Sequence, residues 1–592
     1  METKEKLDML FREVLRELEL PDERLVISHP DLSRGDYSTN IAMLLAKKSE
    51  DPEILAQKIK TILENKQLSD FIAKIDVVRP GFINFWLSKD EFSRQLKEAI
   101  KMGGEYGKSH DGKGRTIVVE YSSPNIAKRF GIGHLRSTII GQALYNLYKF
   151  LGYEVISENH LGDWGTQFGA IIFQVVSRQS SVSSLSVSQL EQLYVDFNKE
   201  AQEKPELWDE ARAWFKKLED GDKEAREIWK ACVKVSLAEF ERIYRLLDVS
   251  FDNMHGESFY EDKMSEVTRD AKKKKLAVED EGALIMRIPD IKVPLILLKR
   301  DGATTYETRD LAAIKWRMIE WKPEKILYEV GVEQDLHFRL VFAAAELLKY
   351  GKMTQFVHIK HGLYRFHGGK MSTRAGRTVN LEDILQEAVV RAKKILEQSK
   401  TLSAKLSEEE KSTISHAVGI GAVKYFDLLH HPGSEIIFSW EKMFLLTGNS
   451  APYLQYTYAR CRSVLQKASL SGVGYQLSGG QSVDSEPENR QTANRELKTD
   501  KLESEEEALL RTFYKFPEMI EEAAEQYAPN LLCNFLYDLA SKYNLMYNNL
   551  PILEQRTNNK EQSSLRLALT VVTANILKTG LNLLGIQAPE RM

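Results

Sequence analysis

The sequence predicts an α/β core built on a parallel sheet, with a small α+β region before it and an all-α region after it. Two observations carry this prediction. Between residues 115 and 362, apolar runs of strand length alternate with helical patterns, as in sheets that are covered on both faces. From about residue 380 to the end, apolar residues recur at helical spacing. A chain of 592 residues should divide into about three or four domains.

The first region, residues 1–110, alternates amphipathic helical stretches with one strand-like run, GFINFWL at 81–87. It closes with a glycine-rich segment, MGGEYGKSHDGKG at 102–114, and glycine clusters of this kind mark turns and linkers. We therefore predict a separate small α+β domain at the start of the chain.

The core, residues 111–375, contains five strand-like runs that favour one parallel sheet. They are TIVVEY (116–121), YEVISEN (153–159), VPLILL (293–298), EKILYEV (324–330) and QFVHIKHG (355–362). A serine-rich stretch at 177–189 is followed by a charged helical pattern, which predicts a helical insertion over about 177–245 between two halves of the sheet.

The helical remainder predicts a connecting region at 376–440 and a final domain at 441–592. Within that domain, residues 468–504 hold few large apolar side chains and many turn formers. Such a composition cannot bury enough apolar surface to pack, so it indicates a polar loop.

The composition excludes several classes of protein. The net charge of −4 does not by itself indicate nucleic-acid binding, although a local basic surface can exist on an acidic protein. Three distant cysteines, Cys232, Cys461 and Cys533, exclude a disulfide framework and a cysteine-rich zinc site, and they suit a reducing compartment. No apolar run approaches the roughly 20 residues that cross a bilayer. The amino-terminal stretch resembles no targeting peptide, so we expect a cytoplasmic protein without a membrane partner.

The chemistry begins at VVEYSSPNIAKRFGIGHLRSTIIG, residues 118–141, where a strand, a glycine turn and a helix follow one another. This order presents phosphate-binding groups in nucleotide-binding α/β folds. Gly131, Gly133 and Arg136 give G-x-G-x-x-R, which allows a dinucleotide-dependent oxidoreductase as one alternative. His134 at the helix start can instead donate a hydrogen bond to a phosphate, or it can be a structural cap.

A second stretch, HGGKMSTRAGRTVNLEDIL at 367–385, places cationic and hydroxyl side chains in a glycine-flanked loop after the last predicted strand. Such loops can close cations over a triphosphate. Together, GIGHLRS and KMST resemble the paired HIGH and KMSKS signatures of class I aminoacyl-tRNA synthetases.

Further motifs are similar to those of the arginyl-tRNA synthetase family. They are GDYSTNIAMLLAK (35–47), SSPNIAK (122–128), LGDWGTQFG (161–169), GESFY (256–260), YETRDLAA (306–313), EQDLH (333–337), KMSTRAG (370–376), GNSAPYLQYTYAR (448–460) and LLGIQAPERM (583–592). The resemblance runs almost from end to end of the chain. It implies a Rossmann-like catalytic core, an N-terminal domain that contacts tRNA and a helical anticodon-binding domain.

The resemblance also implies a reaction and its partners. L-arginine reacts with ATP to give arginyl-adenylate and pyrophosphate with the help of Mg²⁺, and the arginyl group then passes to tRNA(Arg). The first step is expected to require bound tRNA, and the enzyme is expected to be a monomer. Positioning and charge stabilisation suffice for both steps, without a covalent enzyme nucleophile.

The resemblance implies four groups of site residues. The catalytic residues are Lys128, His134, Lys370 and Arg374. ATP is bound by Lys128, Gly131, Gly133, His134, Lys370, Met371 and Ser372. Arginine is bound by Glu120, Ser123, Asn125, Tyr306, Asp310 and Gln334, which combine two acids for a cation with amide and hydroxyl groups. The tRNA is contacted by Phe82, Asn84, Tyr453, Gln455, Tyr458 and Arg460.

Two positions depart from the family pattern. Gly131 stands where the first histidine of HIGH is expected, and Thr373 stands where KMSKS has its second lysine. We expect Lys128 to compensate for the lysine that is missing at Thr373, by neutralising the β,γ-phosphates of ATP. The loss at Gly131 leaves a second alternative open, a catalytically impaired tRNA-binding protein of the same fold. His358 and His361 are expected to be structural, and no metal site is predicted.

Overall fold

The computed structural model describes residues 3–22, 25–46, 51–66, 68, 70–180, 182, 185–366, 369–370, 380–398, 404, 406–470, 502–553 and 560–592. The chain forms two compact units that are not continuous in sequence. The first unit comprises Met1–Tyr106, Arg460–Glu518 and Asp538–Leu577. The second comprises Gly107–Ala459, Met519–Tyr537 and Lys578–Met592.

The amino-terminal part of the first unit is α+β. Its helices and strands are, in order, α1 (Thr3–Glu17), β1 (Tyr37–Thr39), α2 (Ile41–Leu45), α3 (Pro52–Glu64), β2 (Ile72–Val78), β3 (Phe82–Leu87) and α4 (Lys89–Met102). The strands form an antiparallel sheet in the order β1-β3-β2. The α4 helix begins where Ser88 Oγ accepts a hydrogen bond from the Glu91 amide at 3.1 Å, which satisfies one exposed donor of its first turn. The strand predicted at 81–87 is confirmed as β3.

A four-stranded parallel sheet forms the centre of the second unit. The chain runs through β4 (Thr116–Glu120), α5 (Gly133–Phe150), β5 (Glu154–Glu158), α6 (Thr166–Ser177), α7 (Val187–Glu203), α8 (Leu207–Glu219), α9 (Lys223–Leu247) and α10 (Met264–Lys273). It continues through β6 (Ala277–Asp280), β7 (Ala283–Met286), β8 (Leu295–Leu298), α11 (Tyr306–Glu320), β9 (Lys325–Gly331), α12 (Asp335–Leu347) and β10 (Phe356–His361). The strand order is β10-β9-β4-β5. Four of the five predicted strands therefore lie in the predicted sheet.

The remaining predicted strand, VPLILL at 293–298, does not join that sheet, so this part of the prediction is wrong. β8 pairs antiparallel with β7, in a separate sheet of order β6-β7-β8. Leu295 and Leu297 are buried whereas Ile296 is 39% exposed. An all-apolar run suggested a strand covered on both faces, but only alternate residues of β8 are covered, as is usual in antiparallel sheets.

The part of the chain after β10 is mostly helical. It comprises β11 (Tyr364–Phe366), β12 (Gly369–Lys370), α13 (Leu381–Gln398), α14 (Glu408–Leu428), β13 (Ile436–Ile437), α15 (Trp440–Met443), α16 (Ala451–Leu470), α17 (Ser504–Phe513), α18 (Lys515–Glu525), α19 (Pro529–Asn549) and α20 (Lys560–Leu583). The prediction of helices alone after about residue 380 misses β13, which pairs in parallel with β11. Residues 471–501 of the predicted polar loop lie outside the described residues.

The carboxyl-terminal residues complete the second unit. The buried Lys424 on α14 donates hydrogen bonds from Nζ to the carbonyl oxygen of Leu247, at 2.7 Å, and to that of Gly585. The buried Gln455 donates from Nε2 to the carbonyl of Gln587 at 2.7 Å. Two buried side chains thus depend on backbone groups from the last residues of the chain.

Among the helices that the structure describes, none is long and apolar enough to cross a membrane.

Candidate active site

The turn that follows β4 has an unusual backbone. Ser122, Ser123 and Ala127 have φ values of 73°, 46° and 59°, in the left-handed region that costs a non-glycine residue about 1–3 kcal/mol. Neighbouring side chains hold this conformation. The Ser123 amide donates to Asn159 Oδ1 at 3.1 Å, and the Ala127 amide donates to Ser236 Oγ at 2.9 Å. Strain of this kind concentrates at functional sites.

His134 lies in the first turn of α5 and is in one defined proton state. Its Nδ1 accepts a hydrogen bond from the Gly131 amide at 3.2 Å, so Nε2 carries the proton of the neutral ring. Burial, helped by the charge of Lys128, lowers the pKa of His134 to about 4. The space beside Gly133 is open, because a Cβ there would meet no described atom within 4 Å. His134 therefore offers a neutral N–H donor at a helix amino terminus, where anions bind.

Lys128 lies on the same turn. Its Nζ is 5.8 Å from the ring centroid of Tyr194 on α7, within cation–π range. The structure thus brings together Lys128, Gly131, Gly133 and His134, as the ATP-site prediction requires.

The KMST-like segment is only partly described. Met371, Ser372 and Arg374 lie outside the described residues, and only the backbone of Lys370 is described, as the end of β12. Asn380 forms an antiparallel bridge with Gly131, and the Leu381 amide donates to the Phe130 carbonyl at 3.0 Å. The chain after this segment therefore contacts the turn that carries His134.

The segments 122–125 and 161–165 lie side by side. Asn125 and Gly162 form a parallel bridge, and the Ile126 amide donates to the Gly162 carbonyl at 3.1 Å. A Cβ on Gly162 would lie 2.1 Å from Asn125 Oδ1. Glycine is therefore required at 162 for Asn125, a predicted arginine ligand, to keep its position.

The segment 256–260 packs against two other motifs. Asp163 accepts hydrogen bonds from the Ser258 amide, at 2.8 Å, and from Ser258 Oγ, at 2.6 Å. Glu257 lies 3.1 Å from the guanidinium of Arg309, which in turn lies 5.3 Å from the ring of Tyr306. These contacts position the start of α11, where Tyr306 and Asp310 are found.

Asp310 is the predicted arginine ligand whose surroundings are best defined. Its Oδ2 accepts a hydrogen bond from His337 Nε2 at 2.5 Å, and its Oδ1 lies 3.9 Å from His160 Nε2. Burial alone would raise the pKa of Asp310, but the hydrogen bond and charge of His337, with the charge of His160, lower it. Asp310 is therefore ionised at neutral pH and suited to a cationic ligand.

Glu120 has a partner that the sequence did not reveal. It is buried at the end of β4, and its Oε2 accepts a hydrogen bond from Nη1 of the buried Arg317. The prediction assigned both acids to the substrate cation, whereas one oxygen of Glu120 is already paired within the protein. Its contact with arginine stays a prediction.

The other arginine candidates are placed as follows. Ser123 Oγ is buried and has no hydrogen-bond partner among the described residues, which is costly unless a ligand supplies one. Tyr306 is 62% exposed at the start of α11. Gln334 is exposed just before α12. Their roles stay predictions.

The candidates for tRNA contact differ in exposure. Phe82 is partly exposed at the start of β3, but Asn84 is buried and accepts a hydrogen bond from Ser38 Oγ at 2.6 Å. Gln455 and Tyr458 are also buried. These positions do not support base contact by Asn84, Gln455 and Tyr458, because their side chains face the protein interior.

Two further tRNA candidates are partly exposed. Tyr453 packs against Tyr537 at 5.6 Å between ring centroids, and the Arg460 guanidinium lies 4.6 Å from the Tyr547 ring. Tyr456, 40% exposed on the same helix as Tyr453, was not singled out in the sequence, although it lies within the YLQYTYAR motif.

Three family models match the chain. They describe an arginyl tRNA synthetase N terminal domain at residues 5–87, a catalytic domain of tRNA synthetases class I (R) at 95–440, and a DALR anticodon binding domain at 454–592. The catalytic match alone spans more than half of the chain. The chain belongs to the arginyl-tRNA synthetase family.

Family members resemble the chain over nearly its whole length. It is 39% identical to the arginine–tRNA ligase of Clostridioides difficile over 597 aligned positions, covering 100% of this chain and 98% of that protein. It is 38% identical to the arginine–tRNA ligase of Fusobacterium nucleatum, covering 94% and 93%. The Plasmodium falciparum arginyl-tRNA synthetase structure has a TM-score of 0.82 at 26% identity, with 100% of both chains covered. The Thermus thermophilus arginyl-tRNA synthetase shares the fold at the same TM-score and 24% identity.

Sequence reasoning missed several residues around the arginyl-tRNA synthetase motifs. His337 is the last letter of EQDLH and Glu257 is the second letter of GESFY, but neither was assigned a role. His160, which precedes LGDWG, and Arg317 were also missed. Histidines and acids inside segments that are already recognised as motifs are the available signal, and only the structure shows which partner each one has.

Proposed function

We propose that this chain is an arginine–tRNA ligase that activates L-arginine with ATP and transfers it to tRNA(Arg). The observation that carries the proposal is the end-to-end similarity to arginine–tRNA ligases, with family models matching at the catalytic and anticodon-binding regions. This favours the ligase over a dinucleotide-dependent oxidoreductase and over a catalytically impaired tRNA-binding protein.

The arginine is held by charge and by fixed hydrogen-bonding groups. The carboxylate of Asp310 takes the guanidinium, which is always protonated at physiological pH. Asn125 is held in place beside Gly162, and Ser123 Oγ is buried without a partner among the described residues. Both side chains therefore suit the α-amino and α-carboxylate groups of arginine. An analogue that lacks the matching polar group would leave these buried side chains without a hydrogen-bond partner. This cost favours arginine over such analogues.

In the activation step, an oxygen of the arginine carboxylate forms a bond to the α-phosphorus of ATP, and the bond to pyrophosphate breaks. His134 donates from Nε2 to the phosphate, and the amides at the start of α5 add to this field. Lys128 neutralises charge on the β,γ-phosphates. Bound to the phosphate oxygens of ATP, which it favours as ligands, Mg²⁺ would supply further positive charge to the triphosphate.

In the transfer step, a terminal ribose hydroxyl of the tRNA attacks the acyl carbon of the adenylate, and AMP leaves with the bonding electrons. Neither step requires a covalent bond to the enzyme. We further propose that activation requires bound tRNA, that the enzyme is a monomer, and that it acts in the cytoplasm. Its three cysteines are buried free thiols, which suit a reducing compartment.

The decisive experiment is the charging of tRNA with radiolabelled arginine. The purified full-length chain should form arginyl-tRNA with ATP, and Asp310→Asn should raise the KM for arginine by about 100-fold, because a charge-assisted contact to the guanidinium is lost. Binding of tRNA without charging would instead identify the impaired protein, and binding of a nicotinamide dinucleotide would identify the oxidoreductase.

The role of Lys128 is tested by ATP–pyrophosphate exchange with tRNA present. Lys128→Ala should reduce exchange about 10²–10³-fold, as expected for loss of one transition-state charge contact. The matched control is Lys149→Ala, since Lys149 is exposed at the far end of α5 and contacts Tyr145 at 3.1 Å. Near-normal exchange by Lys128→Ala would refute the assignment.

A further inference from the structure

The carboxylate of Asp310 lies between two imidazoles that belong to different segments of the chain. His337 on α12 contacts Oδ2 at 2.5 Å, and His160, just after β5, approaches Oδ1 at 3.9 Å. The two rings therefore lie near different oxygens of the same carboxylate. A cationic ligand of Asp310 therefore has to share this carboxylate with at least one histidine.

The rings differ in how they are held. Nδ1 of His160 donates to the His255 carbonyl at 3.1 Å, and the ring packs against Tyr260 at 5.6 Å. His337 packs edge-on against Phe338, and its only hydrogen bond among the described residues is the one to Asp310. His337 thus depends on Asp310, whereas His160 is oriented by other groups.

We propose that His337 is a positioning residue that sets the affinity for arginine, because it orients the Asp310 carboxylate and gives up its extra proton when the guanidinium binds. The inference rests on the proposed function, in which Asp310 takes the guanidinium. The neutral ring donates Nε2–H to Asp310 and leaves the carboxylate its full negative charge. The protonated ring forms an ion pair that cancels this charge and repels the guanidinium.

The groups around His337 determine the sign of this effect. Burial alone would lower the pKa of His337. The hydrogen bond and charge of Asp310, together with the charge of Glu307, which lies on α11 with Asp310, raise this pKa overall. His160 faces the other oxygen of Asp310.

The strand β10 also contacts α12 and contributes two titratable groups, His358 and Lys360. The His358 ring lies 4.6 Å from the Phe338 ring, and its Nε2 donates a hydrogen bond to the Val330 carbonyl at 3.1 Å. Lys360 pairs with Asp335 at 2.5 Å. Neither group contacts Asp310 in the described structure, so the carboxylate responds mainly to His337.

The expected pH dependence follows directly. Above the raised pKa of His337 the ring is neutral and arginine binds to a fully charged carboxylate. Below this pKa, arginine binding has to release one proton, so the affinity falls by up to about tenfold per pH unit. The substrate guanidinium does not titrate in this range, and the dependence therefore belongs to the protein.

The test compares the full-length parent with His337→Gln in the charging reaction. Glutamine keeps an N–H donor but cannot carry a charge. In the parent, the KM for arginine should rise several-fold between about pH 8 and about pH 6, while kcat changes less. In His337→Gln this rise should shrink to about twofold, with a KM near that of the parent at about pH 8.

The matched control is His358→Gln, which changes a neighbouring half-buried histidine outside the site and should keep the parental pH profile. A second measurement is independent of any variant. Calorimetric titration of the parent with L-arginine near pH 6.5, in two buffers of different ionisation enthalpy, should show a net release of protons. The same pH profile in parent and His337→Gln, or no proton release by the parent, would overturn the inference. A parent that binds arginine but does not charge tRNA would refute the proposed function instead.

Discussion

The replacement Arg136→Met tests how much the buried hydrogen bonds of Arg136 stabilise α5, the helix that begins at the turn carrying His134. Arg136 is 1% exposed, and its Nε donates to Asp427 Oδ1 at 3.2 Å. Its Nη1 donates to the carbonyls of Gly362, at 3.0 Å, and Ser434, at 2.5 Å. The buried Asp427 also accepts a hydrogen bond from Tyr364 at 2.6 Å. Methionine fills similar space but supplies none of these donors.

The magnitude follows from what the replacement leaves behind. Asp427 would remain buried with a single neutral donor, and breaking a buried ion pair in this way costs about 3–5 kcal/mol. Large domains lose about 2 °C in melting temperature per kcal/mol. The transition of the second unit should therefore fall by about 6–10 °C. The double replacement Arg136→Met with Asp427→Leu should recover at least half of this loss, because the uncompensated charge is gone.

Differential scanning calorimetry of the full-length chain measures both effects. The control is Arg129→Met, whose partner Glu191 lies 2.7 Å away in a pair that is 38% and 21% exposed. Such a pair contributes less than about 1 kcal/mol. The reasoning is refuted if Arg136→Met melts within about 2 °C of the parent, or if the double variant is no more stable than Arg136→Met alone.

Three further predictions concern other sites. Gly131→His should give no gain in charging rate, because Gly131 is buried and its amide already fixes the proton position of His134; a large gain would show that glycine is a defect. Gly162→Ala should raise the KM for arginine by about 10–100-fold by displacing Asn125, and an unchanged KM would remove Asn125 from the pocket. Glu518→Gln should lower stability at neutral pH by about 1–3 kcal/mol, measured by chemical denaturation.

The last of these predictions has a defined pH dependence. Burial alone would raise the pKa of Glu518, but His29 and Lys4 and the hydrogen bond from Tyr37 lower it overall. A carboxyl whose folded-state pKa is depressed contributes stability above its unfolded value, about 4.3, and loses it as the pH falls through the folded value. The difference between parent and Glu518→Gln should therefore shrink below about pH 4. A constant difference from about pH 7 to about pH 3 would contradict this explanation.

The sequence predicted the parts of the fold that depend on local pattern. β4 and β9, the two central strands of the parallel sheet, are mostly apolar and mostly buried, so their sequence carries the signal directly. β8 has the same kind of run but belongs to an antiparallel sheet. Nothing local distinguishes the two cases, because the partner strand β7 decides which sheet is formed.

In the candidate active site, too, local features were predicted and contacts between distant residues were not. The strand, turn and helix around His134 were predicted because their residues are adjacent in sequence. The burial of Gln455 was not predicted, because its hydrogen-bond partners, the carbonyls of Ala417 and Gln587, are 38 and 132 residues away in the sequence. The pairing of Glu120 with Arg317, 197 residues apart, escaped for the same reason. Residue type indicated a polar function for these side chains, but only the fold shows which partner satisfies each one.

The division of the chain into two interleaved units also has a consequence for its synthesis. Lys424 and Gln455 are buried against carbonyl groups of Gly585 and Gln587, so the unit that contains the candidate active site closes only when these residues are available. A ribosome releases a chain from its amino terminus, and the residues around Lys424 emerge more than a hundred positions earlier. Lys424 and Gln455 should therefore complete their hydrogen bonds only after this region has been translated.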